Sequence, residues 1–359
     1  MADRMARTIA ERLEHWPSLA ESDEPIDIHQ EMALLTMRVI ARTMFSSDVG
    51  DGLAEEMEEA LVTVLDHIYE RRFHLLGALK HWLPLPENHR YRRALAGLHR
   101  TVDRIIETRR RSFREYDDLL AMLMAARDAE TGEVLSAEEL HDEILTIFVG
   151  GYETSADALS WSWSLLGQTP HAYEALHREA TQVLGGRAPR FTDLAELRYA
   201  RMVFSEALRL YPPAWLNART CMEGDELRGY RIPAGACVFI SPYVLHRHPG
   251  FWDDPDRFDP ERFTEERSKD RPRYAYIPFG GGPHLCIGKE FALMEGLFIL
   301  AMVARSWRLR LVPGHTVEPV PAITLRPREG VPMYLQRSAE PSTSSEDNPA
   351  QHPPCERLP

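Results

Sequence analysis

The sequence predicts a mainly α-helical fold with one small β region. Three observations carry this. Apolar residues recur at helical spacing through the first 111 positions, as in Met32, Leu35, Val39 and Ile40, and again in Leu61, Val64, Leu65 and Ile68. A second helical block runs from Ser136 to about Leu210. Only after Tyr211-Pro212-Pro213 do short apolar runs cut by Pro and Gly appear, in the manner of strands and turns.

The chain opens directly in amphipathic helix at Ala2, and its first residues carry acids and no apolar signal core, so they do not read as a secretory peptide. Pro84 and Pro86 break the pattern. A helix restarts near Asn88 and ends at Arg109, Arg110 and Arg111, expected to be a solvated end because cations favour helix C-termini. The next helix starts at Ser136, with Glu139 completing a capping box. It is expected to reach Leu166, with Gly167 and Pro170 as stops, a length of about 45 Å. Two more helices follow. The segment RGYRIPAGACVFISP reads as strands, and HPGFWDDPDRFDPERF as irregular chain before a glycine-rich loop and a last helix. Within that helix the apolar run from Leu297 to Ala304 stops at Arg305, which suits burial rather than a membrane span. Final strands are expected near Ala322–Leu325 and Met333–Leu335. Residues 1–337 then form one domain, and 338–359 a polar, Pro-rich disordered tail.

A net charge of −13 argues against nucleic acid or an anionic membrane surface as the main partner. The four cysteines, Cys221, Cys237, Cys286 and Cys355, are far apart. They form no disulfide framework and suit a reducing cytoplasm.

The strongest chemical signal runs from Phe279 to Gly288, FGGGPHLCIG, and leads straight into an apolar helix. A phosphate loop would need Ser or Thr after Gly288-Lys289, where Glu290 stands. A dinucleotide fingerprint counted from Gly280 would need Gly where Leu285 stands. Zinc would need more ligands than nearby His284. A cysteine nucleophile would need a His partner that sequence does not locate. One reading accounts for every part. Exposed amides and a helix N-terminus stabilise a Cys286 thiolate, which can be the axial ligand of a haem iron. The glycines let a flat macrocycle approach the backbone.

This segment resembles the cysteine-ligand loop of the cytochrome P450 family of haem-thiolate monooxygenases, and further motifs follow the family order. Glu206-Ala207-Leu208-Arg209 matches its Glu-x-x-Arg helix, and Pro260-Glu261-Arg262-Phe263 the partner segment. The resemblance implies a structural triad of Glu206, Arg209 and Arg262 locking the chain beneath haem b. Gly150-Gly151-Tyr152-Glu153-Thr154 resembles the oxygen-activation motif. It implies catalytic roles for Gly151, Glu153 and Thr154: the glycines open the helix locally, Thr154 offers its hydroxyl to dioxygen, and Glu153 feeds protons. By family position, His284 and Arg219 serve haem propionates, Phe279, Gly280 and Gly288 shape the cofactor loop, and Val149, Ala214, Trp215, Leu216 and Thr324 border the substrate. His246 and His248 read as structural. The run from His89 to Arg93 comes too late in the chain order to be the family's propionate clamp.

The expected fold is therefore a cytochrome P450 fold that begins late, lacking the family's N-terminal part. The expected function is insertion of one atom of O2 into a small apolar organic substrate. Electrons would come from a separate ferredoxin or flavodoxin with its reductase. The resemblance points to the soluble bacterial type, cytoplasmic and without a membrane anchor. The alternative is a truncated, non-catalytic haem-binding remnant. A peroxygenase is a third reading, against which the acid–Thr pair argues.

Overall fold

The computed structural model describes residues 1–47, 51–73 and 85–338. Helices α1 (Ala2–Leu13), α2 (Trp16–Glu21), α3 (Ile28–Met44), α4 (Asp51–Phe73), α5 (Pro86–Arg111) and α6 (Leu119–Ala125) lead to the long α7 (Ala137–Gln168). After it come α8 (Pro170–Leu184) and α9 (Arg198–Leu210). The capping box is formed: Glu139 N–H donates to Ser136 Oγ at 3.1 Å, and Ser136 N–H to Glu139 Oε2 at 2.8 Å.

α7 crosses the molecule against α3, which is buried without a break from Glu31 to Ala41. The contact is close because of one glycine. A Cβ on Gly151 would stand 2.6 Å from Ile40 Cδ1. From Tyr152 to Leu166 every residue of α7 except Thr154 is buried. The last long helix (Lys289–Ser306) lies behind it and is buried from Met294 to Ala304.

The β region is small. β1 (Ile26–Asp27), β9 (Pro332–Arg337) and β6 (Trp307–Leu311) form an antiparallel sheet in that order, with Ile26 opposite Met333 and Leu309 opposite Leu335. Three hairpin-like pairs stand apart: β2 (Asn217–Thr220) with β5 (Cys237–Ile240), β3 (Asp225–Leu227) with β4 (Tyr230–Ile232), and β7 (Pro319–Pro321) with β8 (Leu325–Pro327).

Several sequence expectations change. α7 runs through Gly167 to Gln168, because that glycine is a contact point: an added Cβ would meet Met333 Cε at 2.9 Å. The strand expected at Ala322–Leu325 begins only at Leu325. Ala322 N–H bonds Val320 O and Thr324 O, so these residues make the turn between β7 and β8. Arg109 is not part of a solvated helix end. Its side chain is 8% exposed, donates to both Asp118 carboxylate oxygens at 2.7 and 2.6 Å, and reaches Phe45 O. Burial works against the Asp118 charge, but those bonds outweigh it and hold the carboxyl below its usual range. Pro84 and the expected tail from 339 onward lie outside the described residues. Among the described residues, no helix is long and apolar enough to cross a membrane.

Candidate active site

The cysteine loop is held by its own backbone. Cys286 N–H donates to Phe279 O at 2.9 Å, and Leu285 N–H to Gly282 O at 3.2 Å. Gly280 sits at φ +75°, where an L side chain is strained, and its Cβ would also crowd His284 O. Gly288 caps the last long helix, and a Cβ there would lie 3.8 Å from Cys286 Sγ. The thiol is thus beside a helix N-terminus. Cys286 is exposed, flanked by Leu285 and Ile287, the latter with its apolar side chain fully in the open. His284, in a short turn, is also exposed.

On α7, Thr154 is half-buried and its hydroxyl donates to Gly150 O at 2.8 Å. The helix is unbroken here, so the glycines do not open it. Gly150 faces open space, with nothing within 4 Å of an added Cβ, whereas Gly151 admits Ile40. Gly151 is therefore a close packing point between α7 and α3. Glu153 is buried and accepts from Thr324 Oγ1 at 2.9 Å. Burial pushes its carboxyl above the ordinary range, against the Thr324 bond and the positive Arg326. Thr324 is itself buried and faces this carboxyl. Its one hydroxyl proton is spent on Glu153. Ser155, next to Thr154, lies near Glu295 on the helix that follows Cys286, without completing a hydrogen bond to either of its buried oxygens. The two elements carrying the candidate site are packed together about 10 Å along that helix.

The expected triad is brought together. Arg209 forks onto Glu206 at 2.7 and 2.8 Å, and Arg262 Nε donates to Glu206 Oε1 at 3.3 Å. All three are buried. Remaining donors are spent on the irregular segment: Arg209 on His246 O, Pro255 O and Arg257 O, and Arg262 on Asp254 O. Asp259 N–H returns to Glu206 Oε1. This network replaces the ladder hydrogen bonds that an irregular chain lacks. His246 belongs to the same frame. Its Nε2 accepts from Ile277 N–H at 2.9 Å, and burial pushes its pKa down to about 3, so the ring is neutral. His248 Nδ1 accepts from Gly250 N–H.

Arg219 is exposed on β2 and folds back onto Ala218 O. Of the expected substrate neighbours, Ala214 is exposed, while Val149, Trp215 and Leu216 are half-buried. Trp215 is anchored through Nε1 to Ala322 O at 3.0 Å. Sequence reasoning missed three polar groups near this helix: the buried Asp157 and Glu295, and the half-buried His29. An acid one turn after Glu153, inside the apolar run ADALSWSW, was the available signal for Asp157.

The donor set suits a thiolate-ligated haem. The sulfur is accessible, apolar side chains flank it, and Gly150 leaves room on α7. Cys286 would hold the iron in the loop shaped by Phe279, Gly280 and Gly288, with His284 and Arg219 free to turn to the propionates.

A model of the cytochrome P450 family matches residues 1–331. Cyclooctatin synthase of Streptomyces melanosporofaciens is 46% identical, over 84% of this chain and 66% of its own length. Pentalenene oxygenase of Streptomyces avermitilis is 38% identical, over 84% of this chain and 66% of its own. The chain thus spans just under two thirds of the length of these curated relatives. The crystal structure of a cytochrome P450DA heme domain superimposes with a TM-score of 0.82 at 25% identity, covering 94% of this chain and 73% of that one. Matched by the family model along nearly all of its described length, the chain belongs to the cytochrome P450 family, whose cofactor is haem (iron protoporphyrin IX).

Proposed function

We propose that the chain is a haem-dependent monooxygenase that inserts one atom of O2 into an apolar organic substrate, with electrons from a separate ferredoxin or flavodoxin and its reductase. The observation that carries this is the accessible Cys286 thiol, set at a helix N-terminus in a glycine-shaped apolar loop. Haem bound there supplies the oxygen chemistry. The chain's own residues supply position and protons. Cys286 provides the thiolate. Glu153 holds a proton on a carboxyl that burial keeps from ionising easily. Thr154 can turn its hydroxyl from Gly150 O to dioxygen and take up that proton in exchange for its own. Val149, Ala214, Trp215 and Leu216 offer apolar surface to a hydrocarbon substrate. The name of the relative pentalenene oxygenase supports that substrate class.

The test supplies isotopically labelled O2, NADPH, a ferredoxin with its reductase, and pentalenene as the probe. One labelled oxygen in the product is expected. A haem-loaded chain that transfers no labelled oxygen to this or other apolar hydrocarbons would contradict the proposal and favour a non-catalytic remnant.

A further inference from the structure

Under Glu153 lies a set of polar groups that the proposed function leaves unused. Asp157 follows Glu153 by one turn of α7 and is 0% exposed. Neither of its oxygens completes a hydrogen bond of normal geometry. A buried, unpaired carboxylate is costly, so such a group either pairs or stays protonated.

Three neighbours face it. Thr324 stands beside Asp157 while giving its own proton to Glu153 at 2.9 Å, so one hydroxyl lies between two carboxyls. His29, in the first turn of α3, brings Nδ1 to 3.8 Å from Asp157 Oδ1 and 3.1 Å from Ser160 Oγ. Its side chain is 20% exposed, so this end of the set touches solvent. Arg326, two residues beyond Thr324, is held by Asp66 at 2.6 Å and sends its positive field toward both Glu153 and Asp157. Asp27, which caps α3, acts on His29 from the other side.

These groups form a line from solvent to the proposed proton donor: His29, Asp157, Thr324, Glu153. We propose that His29, Asp157 and Thr324 are relay residues that return a proton to Glu153 each time it gives one up. The inference rests on the reading of Glu153 as proton donor. The transfers balance. Thr324 passes its hydroxyl proton to the Glu153 carboxylate and takes the carboxyl proton of Asp157. Asp157 then takes the Nδ1 proton of His29 as solvent protonates His29 Nε2. The net result is one solvent proton moved to Glu153, and the imidazole resets by tautomer exchange through water. The 3.8 Å gap exceeds a direct hydrogen bond and is closed by a tilt of the ring or by one water. Burial favours this arrangement, since it pushes the Asp157 carboxyl well above its ordinary range and holds His29 down, so that His29 passes a proton on rather than keeping it.

Infrared spectroscopy of the full chain, with and without haem, tests the line separately from turnover. A protonated-carboxyl C=O band is expected at neutral pH and should vanish in Asp157→Asn. In D2O its exchange should slow about tenfold in His29→Gln, a partly exposed site where substitution leaves the fold intact. No band assignable to Asp157, or exchange unchanged in His29→Gln, would overturn the relay. In the loaded enzyme, Asp157→Asn should keep thiolate-bound haem, lose about tenfold in coupled product and raise the solvent isotope effect. Unchanged coupling with an unchanged isotope effect would sink the relay and leave the monooxygenase reading standing. A wild-type chain that holds no thiolate-ligated haem would overturn the monooxygenase reading instead.

Discussion

Thr324 donates its hydroxyl proton to Glu153 at 2.9 Å across 171 positions of sequence. The bond ties the turn between β7 and β8 to the middle of α7, and both residues are only 6% exposed. It partly offsets a desolvation that drives the Glu153 carboxyl toward its neutral form.

Thr324→Val removes that donor. The folded-state pKa of Glu153, already raised, should rise further. A carboxyl with a raised folded pKa stabilises below its unfolded value and loses that contribution as pH rises through the folded value. The variant should therefore be less stable than the parent by about 1–2 kcal/mol, with the deficit larger at pH 8 than at pH 5. Urea unfolding at the two pH values checks this, and equal deficits would break the link to Glu153.

Glu206→Gln leaves Arg209 and Arg262 buried against a neutral amide. Removing the charge partner of a buried network should cost about 3–5 kcal/mol. The loss should appear in equilibrium unfolding of the chain without haem, because the partners of the network are backbone carbonyls of the irregular segment. A cost under about 1 kcal/mol, the range of surface pairs, would show that the network does not hold that segment.

Gly151→Ala places a methyl group against Ile40 Cδ1. The gain in helix propensity, about 1 kcal/mol, opposes a packing clash of about 1–3 kcal/mol. A net loss is expected. Ile40→Val removes Cδ1, and in the Gly151→Ala background it should restore stability although alone it costs about 1 kcal/mol. Additive losses in the double variant would mean that the two residues do not meet.

Glu295 sits fully buried on the helix after the cysteine loop, and burial pushes its pKa up to about 8, with the Ser155 hydroxyl only partly countering. Its unfolded value is 4.5. The contribution of the neutral acid is thus present below about pH 4.5 and lost as pH rises toward 8. Glu295→Gln removes the titration. Relative to the parent, its melting temperature should climb between pH 5 and pH 8, by an amount equivalent to no more than about 4 kcal/mol. A pH-independent difference would contradict a buried, neutral Glu295.

What the sequence made legible was local. The capping box at Ser136 and Glu139, the helical spacing of α3 and the ten-residue cysteine loop each lie within one short window, so their residues announce them. What stayed hidden depends on distant partners. Arg109 reads as a solvated cation until Asp118 and Phe45 O are seen to enclose it. Gly151 reads as a helix opening until Ile40 fills the space above it. The bond from Thr324 to Glu153 joins residues 171 positions apart, which no local pattern announces. The Glu206 network was legible only through resemblance, since Glu-x-x-Arg spacing by itself is common on helix surfaces.

The central claim is that the Cys286 sulfur binds a haem iron, and a reduced–CO difference spectrum of the haem-reconstituted chain tests it most directly. A thiolate-type Soret band is expected from the natural chain, with none from Cys286→Ala. The same band in Cys286→Ala, or haem uptake by the natural chain without that band, would contradict the account.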